Sequence, residues 1–127
     1  MIGTDLIDKR RIAQAYQRHG HRLTEKILHP SELTQFNSQQ NPIRYLSMRW
    51  AAKEAFAKAL GTGLRAPVLM SNICITHNAQ GAPSFTYTDA IADLIAQRGY
   101  QTLHLSLSDE THYALAFVVA QITQPHY

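Results

Sequence analysis

The stretch WAAKEAFAKALGTG, residues 50–63, decides the fold of this chain. Its alanine-rich and largely apolar composition predicts a helix, and Pro42, upstream, is typical of the first turn of one. Gly61 is an ordinary helix-stop signal, so we expect this helix to run from Pro42 to about Leu60. It is the longest element that the sequence predicts.

Shorter elements flank this helix on both sides. Upstream, the pattern predicts a short strand and then three short helices. Downstream, the hydrophobic period changes to two, which is typical of strands, with one helix between them. Helices followed by antiparallel strands predict an α+β fold. The flanking elements are a strand at 1–7, helical segments at 8–16, at 23–28 and from 30, strands at 71–77, 84–88, 103–108 and 113–122, and a helix at 89–97.

Length and composition indicate a soluble globular protein. The 127 residues suit one domain, which we expect to span residues 1–127, and they are 45% hydrophobic and 17% charged. No apolar run approaches the roughly 20 residues that a membrane span needs, and the first residues carry charges where a signal peptide would be apolar. A single cysteine, Cys74, excludes an internal disulfide and a multi-cysteine zinc site. We expect a cytoplasmic protein without a membrane partner.

The net charge of +3 conceals an asymmetry along the chain. Eleven of the twelve Lys and Arg residues lie at or before Arg65 with five acidic residues, so this part carries +6 and the remainder −3. Half of all the cations lie between Lys9 and Lys26. Such a segment predicts an acidic partner, that is, nucleic acid, an acidic protein or a phosphorylated ligand. A solvated helix face is an equal alternative on charge alone.

The long helix carries the first candidate site. Glu54 and Lys58 are four residues apart and share one helical face, but an exposed pair at this spacing contributes only about 0.3–0.5 kcal/mol and does not by itself indicate function. The turn formed by Gly61, Thr62 and Gly63 offers backbone N–H groups that a phosphate can use. It is neither a P-loop, which follows a strand and ends in Gly-Lys-Ser/Thr, nor a dinucleotide fingerprint, which opens a helix.

Two carboxylates are candidate metal ligands. Magnesium prefers oxygen ligands and often binds one or two carboxylates together with substrate phosphates. Asp5 lies in an apolar, strand-like stretch and needs a partner if it is buried, so Asp5 and Glu54 form a candidate pair. The alternative for Asp5 is a hydrogen bond to a loop or a helix N-terminus. The histidines lack zinc-binding spacing, and Ser106 and Ser108 lie in a predicted strand without a nucleophile elbow.

Three separated stretches resemble one known family. They are GTDLIDKRRI at 3–12, RWAAKEAFAKALGTG at 49–63 and LHLSLSDETHYALAFVV at 103–119. Together they are similar to the holo-acyl-carrier-protein synthases, the short bacterial members of the 4′-phosphopantetheinyl transferase superfamily. The resemblance implies an α+β fold with the long helix packed on a small antiparallel sheet. It also implies transfer of phosphopantetheine from coenzyme A to a serine of an acyl carrier protein, which yields adenosine 3′,5′-bisphosphate and supports fatty acid biosynthesis.

The same resemblance implies roles for individual residues. Asp5 and Glu54 would hold Mg²⁺ with the coenzyme A diphosphate, Lys58 would lie beside that diphosphate, and Gly61-Thr62-Gly63 would lie near the nucleotide end. Lys53 is assigned to the coenzyme as well. Glu54 and Lys58 would carry catalysis, because magnesium and Lys58 can neutralise the charge that spreads over the diphosphate. The general base is left open between Glu54 and a water that acts as a relay.

The basic segment acquires a partner under this interpretation. Acyl carrier proteins are acidic, and the family presents arginines from this region to them. Arg11 matches one of these by position, and Arg18 and Arg22 are its predicted companions. Electrostatic attraction raises the association rate and makes it sensitive to salt. The family forms homotrimers with each active site between neighbouring protomers, so the resemblance also implies a trimer.

Two other interpretations are open from the sequence. The carrier domain could belong to a polyketide or peptide synthase and not to fatty acid synthesis. Alternatively, the chain could be a non-catalytic basic module that binds nucleic acid or an acidic protein, which explains residues 9–26 but leaves KEAFAKALGTG without a role. Tyr16 is the single aromatic residue of that segment, so base stacking has little support, and we expect no nucleic-acid partner.

Overall fold

Residues 1–123 are described by the computed structural model, and residues 124–127 lie outside that range. The prediction of one domain over residues 1–127 therefore includes four residues outside the described part. A short 3₁₀ turn, Met70–Asn72, precedes the second strand. The other elements, in chain order, are β1 (Ile2–Asp8), α1 (Lys9–His19), α2 (His21–Ile27), α3 (Pro30–Phe36), α4 (Pro42–Leu60), β2 (Ile73–His77), β3 (Pro83–Tyr87), α5 (Asp89–Gln97), β4 (Tyr100–Asp109) and β5 (Tyr113–Ile122).

The predicted α+β fold is confirmed, but the strands divide between two antiparallel sheets. One sheet has three strands in the order β1-β5-β4, and the other is the β2-β3 hairpin. Helix α5 and strand β5 have the predicted bounds. Strand β4 begins at Tyr100, earlier than expected, because a register shift between Tyr100 and Thr102 interrupts the alternation from which the strand was predicted.

Local sequence signals explain where the first helices and α4 begin and end. The side chains of Asp8 and Asn41 accept hydrogen bonds from backbone N–H groups in the first turns of α1 and α4. Gly20, with φ of +54°, separates α1 from α2. Gly61 adopts the left-handed conformation at φ +74° and ends α4. The basic segment is therefore two helices joined by a sharp bend.

Helix α4 lies at the centre of the fold. Thirteen of its nineteen residues are buried. One side packs on the inner face of the three-stranded sheet, where β5 contributes Ala114, Ala116 and Val118. The remaining sides contact α1, α2 and the β2-β3 hairpin, where the rings of Phe56 and Phe85 lie 4.8 Å apart. None of the helices within residues 1–123 combines the length and the apolar character that crossing a membrane requires.

Strand β1 approaches α4 more closely than a side chain would allow. A Cβ atom built on Gly3 would lie 2.0 Å from the carbonyl oxygen of Ala55 and 2.7 Å from the backbone nitrogen of Ala59. Only glycine permits this contact. Because side chains alternate along a strand, Asp5 is on the same face as Gly3 and is held against α4.

The other face of the three-stranded sheet, which we call the outer face, is exposed and apolar. It carries Leu6, which is 64% exposed, and Phe117, which is 42% exposed. The ladder pairs Ile2 with Val119 and Leu6 with Leu115, so the apolar side chains of β1 lie beside an apolar row on β5. A contiguous apolar patch of this kind indicates an interaction surface.

Candidate active site

Strand β1 and helix α4 bring three of the predicted site residues together. Asp5 Oδ1 accepts a hydrogen bond from Lys58 Nζ at 3.2 Å. The same ammonium group donates to the carbonyl oxygen of Thr4 at 2.9 Å. Glu54 lies one helical turn before Lys58, close enough to Asp5 for the charge of that carboxylate to affect its pKa.

Lys58 therefore pairs with β1 and not along its own helix. The spacing of Glu54 and Lys58 suggested a surface ion pair, but the carboxylate of Glu54 forms no hydrogen bond or ion pair with any residue in the described part of the chain, and Lys58 reaches Asp5. The physical reason is the close approach of β1, which offers a carboxylate and a carbonyl oxygen at the same point.

The two carboxylates are left with unsatisfied charge. Asp5 Oδ2 is the single buried side-chain oxygen or nitrogen atom within residues 1–123 that has no hydrogen-bond partner. Burial and the charge of Asp5 raise the pKa of Glu54, and the cations Lys58 and Lys26 oppose that shift. A site of this kind favours a bound cation, because a cation pairs with the orphaned oxygen and screens the repulsion.

These residues fit magnesium better than a transition metal. Within residues 1–123, no group of three or more His, Cys, Asp or Glu side chains could enclose a metal ion. The protein therefore offers two carboxylates, Asp5 and Glu54, and further ligands would have to come from solvent or from a ligand. Magnesium often binds in this way, through one or two carboxylates and a phosphorylated substrate.

The glycine turn after α4 is less available to a phosphate than the sequence suggested. The N–H of Gly61 donates to the carbonyl oxygens of Ala57 and Lys58, and the N–H of Thr62 donates to Ala57 at 3.2 Å. These bonds terminate the helix. Of the three backbone N–H groups in this turn, that of Gly63 has no hydrogen-bond partner among the described residues and is available to a phosphate.

The assignment of Lys53 to the coenzyme does not fit its position. The side chain is fully buried, and Nζ donates to Glu32 Oε1 at 2.5 Å and to the carbonyl oxygen of Ile27 at 2.7 Å. An ammonium group enclosed in this way cannot reach a ligand at the carboxylates. We therefore correct the prediction: Lys53 belongs to the interior of the protein.

The structure separates the free arginines of the basic segment from the paired ones. Lys9 bonds to Asp109 and Arg10 bonds to Asp8. The predicted carrier contacts are Arg11 and Arg18 on α1 and Arg22 on α2. All three are exposed, and none forms an ion pair with any residue between 1 and 123. Gly20 breaks the helix between Arg18 and Arg22. The available positive charge is thus smaller than the net charge of the segment, and it follows the bend.

Sequence analysis missed a polar cavity of about 700 Å³ between α3, the N-terminal half of α4 and β2. Arg49 lines the cavity, donates from Nε to Glu32 at 2.9 Å and lies 3.7 Å from the ring centroid of Tyr45. Arg44 also lines it and hydrogen-bonds to Asp109, which lowers the pKa of Asp109 to about 2. Its walls come from separate elements, so no local motif marks it. Arg44 is half exposed and uses two of its three guanidinium nitrogens for Asp109, so it retains N–H groups for an anionic group.

A comparison with protein families gives the class of this site. The family model described as the 4′-phosphopantetheinyl transferase superfamily matches residues 1–118 of the chain. The match includes β1 and α4, which carry the two carboxylates and Lys58.

Individual relatives narrow the class. The chain is 48% identical to the holo-[acyl-carrier-protein] synthase of Nitrosomonas eutropha, over 94% of this chain and 96% of that protein. The structure of the Neisseria meningitidis synthase has a TM-score of 0.91 at 44% identity and covers 94% of this chain and 96% of that one. The Helicobacter pylori synthase, solved in complex with coenzyme A, has a TM-score of 0.81 at 27% identity, with 95% and 100% coverage. This chain belongs to the holo-[acyl-carrier-protein] synthase family, which confirms the resemblance.

Replacement of Glu54 by Gln should lower the activity without lowering the stability of the fold. We expect turnover to fall by about 10²–10³-fold, because a charge aimed at the reacting centre is lost. Folding raises the pKa of Glu54. The wild type therefore loses stability as the pH rises through the pKa of this carboxyl in the unfolded and then in the folded protein. Gln removes that loss, so the variant should be at least as stable as the wild type at pH 7. Thermal unfolding without metal and initial rates with Mg²⁺ measure the two effects.

Asp93→Asn is the matched control, because Asp93 is an exposed carboxylate on α5, a helix that carries none of the site residues. It should change neither the rate nor the unfolding midpoint appreciably. Near-normal turnover of Glu54→Gln, or a clear loss of its stability at pH 7, would contradict the assignment.

Proposed function

We propose that this chain transfers the 4′-phosphopantetheine group from coenzyme A to a serine of an apo acyl carrier protein in a Mg²⁺-dependent reaction. The serine oxygen bonds to the β-phosphorus of the coenzyme, the bond from that phosphorus to the bridging oxygen breaks, and adenosine 3′,5′-bisphosphate leaves. The observation that carries the proposal is the meeting of Asp5, Glu54 and Lys58, with Asp5 Oδ2 unpartnered. Membership of the holo-[acyl-carrier-protein] synthase family supports the choice of substrates.

Each residue of the site has a task in this reaction. Asp5 and Glu54 would hold Mg²⁺, which would supply positive charge beside the diphosphate. The side chain of Lys58 is 53% exposed, so it can turn from Asp5 to the phosphate oxygens that gain charge. The serine proton would pass to Glu54 directly or through a water. The polar cavity beside the half-exposed Arg44 suits the 3′-phosphate of the coenzyme.

Mass spectrometry of a carrier protein tests this function directly. Apo acyl carrier protein incubated with coenzyme A, Mg²⁺ and this chain should gain the mass of one phosphopantetheine group, and chelation of the metal should prevent the gain. A carrier domain of a polyketide or peptide synthase in a parallel reaction distinguishes the alternative substrate class. If neither carrier changes mass, the proposed function is wrong.

The carrier protein is proposed to dock on α1 and α2. Arg11 and Arg18 are seven residues apart on one continuous helix, so they lie on the same side of it. Arg22 follows on α2, where it borders a shallow depression with Leu23 and Lys26. Three arginines that have no ion-pair partner among residues 1–123, beside an apolar side chain, suit an acidic helical surface.

Charge reversal tests the docking surface. The double variant Arg11→Glu/Arg18→Glu should raise the Michaelis constant for the carrier protein by about tenfold or more, leaving that for coenzyme A nearly unchanged. Added salt should weaken carrier binding in the wild type and less so in the variant.

Arg10→Gln is the control, because Asp8 already neutralises Arg10; it should have a smaller effect. If the constant for coenzyme A moves instead and the constant for the carrier stays, the basic segment binds the nucleotide.

The outer face is proposed to be the interface of a homotrimer whose active sites lie between protomers. Its rows of exposed apolar side chains, from Ile2, Leu6, Leu115, Phe117 and Val119, are larger than the scattered exposed residues of a typical monomer. Asp5 lies on the same strand as Ile2 and Leu6, on the opposite face. Packing of a second copy on this face would therefore place its residues near the catalytic strand.

Phe117→Glu places a charge in the middle of the proposed interface and tests the assembly. In light scattering after size-exclusion chromatography, the wild type should have three times the mass of one chain and the variant the mass of one chain, with loss of turnover if the sites are shared. Thr86→Glu, on the exposed side of β3, is the control and should leave mass and turnover unchanged. A variant that remains trimeric, or a monomeric wild type, contradicts the proposal.

A further inference from the structure

One buried carboxylate accepts four hydrogen bonds. Glu32, at the start of α3, is 1% exposed. Its Oε1 accepts from Lys53 Nζ at 2.5 Å and from the backbone N–H of His29 at 3.0 Å. Its Oε2 accepts from Arg49 Nε at 2.9 Å and from the backbone N–H of Ile75 at 3.0 Å. One carboxylate thus joins α3, α4 and β2.

Lys53 extends this group to α2. Its Nζ also donates to the carbonyl oxygen of Ile27, the last residue of α2. At the same interface, Lys26 Nζ lies 5.8 Å from the ring centroid of Trp50. The helix that carries Arg22 is therefore fixed to the helix that carries Glu54, in the interior by Lys53 and nearer the surface by the cation–π contact.

Stability alone does not account for a lysine in this position. Burial lowers the pKa of Lys53, because desolvation outweighs the attraction of Glu32. Buried ion pairs can often be replaced by apolar side chains without loss of stability. What the ammonium group provides, and an apolar side chain does not, is direction: two acceptors at fixed positions determine where the end of α2 lies against α4.

The carboxylate site does not depend on this contact. The tight packing of Gly3 on Ala55 sets the position of β1 against α4, and Asp5 and Glu54 meet through it. Helix α2 takes no part in that packing. Its influence on the site is the charge of Lys26, which affects the pKa of Glu54 less than burial and the charge of Asp5 do. Coenzyme binding and the placement of α2 are thus separable.

We propose that Lys53 is a positioning residue: through Ile27 and Glu32 it sets the position of α2 relative to Glu54, and thereby the position of a docked carrier serine relative to the coenzyme. The proposal rests on the proposed transferase function and replaces the direct coenzyme contact that the sequence predicted for Lys53. It gives the lysine beside the catalytic glutamate a role in geometry and none in binding the diphosphate.

Lys53→Met tests the proposal, since Glu32 keeps its bonds to Arg49, His29 and Ile75 and no charge is left unpaired. We expect kcat with the carrier protein to fall about tenfold or more, because small displacements of reacting groups have effects of this size. The dissociation constant of coenzyme A with Mg²⁺, measured by calorimetry, should change less than about twofold. The binding stoichiometry gives the folded fraction, so lost rate cannot be mistaken for lost protein.

The single tryptophan gives a second readout that needs no turnover. Trp50 lies at the α2–α4 contact with Lys26, so its fluorescence should shift in Lys53→Met. Thr24→Val is the control: Thr24 is buried on α2, and its hydroxyl bonds to the backbone of His21 on the same helix. It should change neither kcat nor the Trp50 emission. If Lys53→Met yields little folded protein, Lys53→Gln, which keeps a buried donor, should show a smaller loss of kcat in the same direction.

The outcomes separate the possible errors. Unchanged kcat and unchanged Trp50 emission in Lys53→Met would overturn the positioning role. A weaker coenzyme affinity that accounts for the whole loss of rate would return Lys53 to the coenzyme site. If the wild type itself transfers no phosphopantetheine, the proposed function is wrong. The Trp50 emission of Lys53→Met, compared with that of Thr24→Val, still decides whether Lys53 sets the position of α2.

Discussion

The enclosure of helix α4 is the constraint on which the rest of the structure depends. Sheet, helices and hairpin surround it, so each polar side chain that it carries must find a partner inside or lie at an exposed edge. Lys53 and Arg49 meet the first condition through Glu32, and Glu54 and Lys58 lie at the edge that β1 borders. The same enclosure desolvates Glu54, which raises its pKa and makes the edge receptive to a cation. The core and the proposed active site are therefore two consequences of one packing arrangement.

Much of the fold could be predicted from local pattern, because caps, glycines and alternation act over a few residues. The bounds of α4 follow from Asn41 and Gly61, and those of β5 from an apolar run that follows the turn at 109–112. The assignment of Lys53 failed because α4 is apolar on nearly every side, so its hydrophobic pattern does not indicate which side faces inward. The partner of Lys58 was missed for a related reason: spacing along a helix shows its neighbours on that helix, whereas Asp5 comes from a strand more than fifty residues away. The polar cavity likewise exists only when distant segments meet.

Charge along the chain also has to be interpreted after folding. The front half is strongly basic in sequence, but Asp109 engages both Lys9 and Arg44, and Asp8 engages Arg10. Asp109 lies in the acidic back half, so the two halves partly neutralise each other across the fold. Arg11, Arg18 and Arg22 have no such partner among the described residues, and the proposed carrier contact uses them. Folding thus converts a diffuse excess of charge into a small directed surface, which favours specificity over general adhesion to polyanions.

The absence of a side chain at residue 3 has a consequence for how this protein tolerates change. Gly3 has no chemical group to offer, yet any Cβ there would meet the backbone of α4 at 2.0 Å and would push β1 away. Asp5 would move with the strand, away from Glu54 and Lys58. In a comprehensive mutational scan, residue 3 would therefore resemble a catalytic position, intolerant of all nineteen replacements, although it touches no substrate. Loss of function alone would not distinguish the residue that sets a distance from the residues that use it.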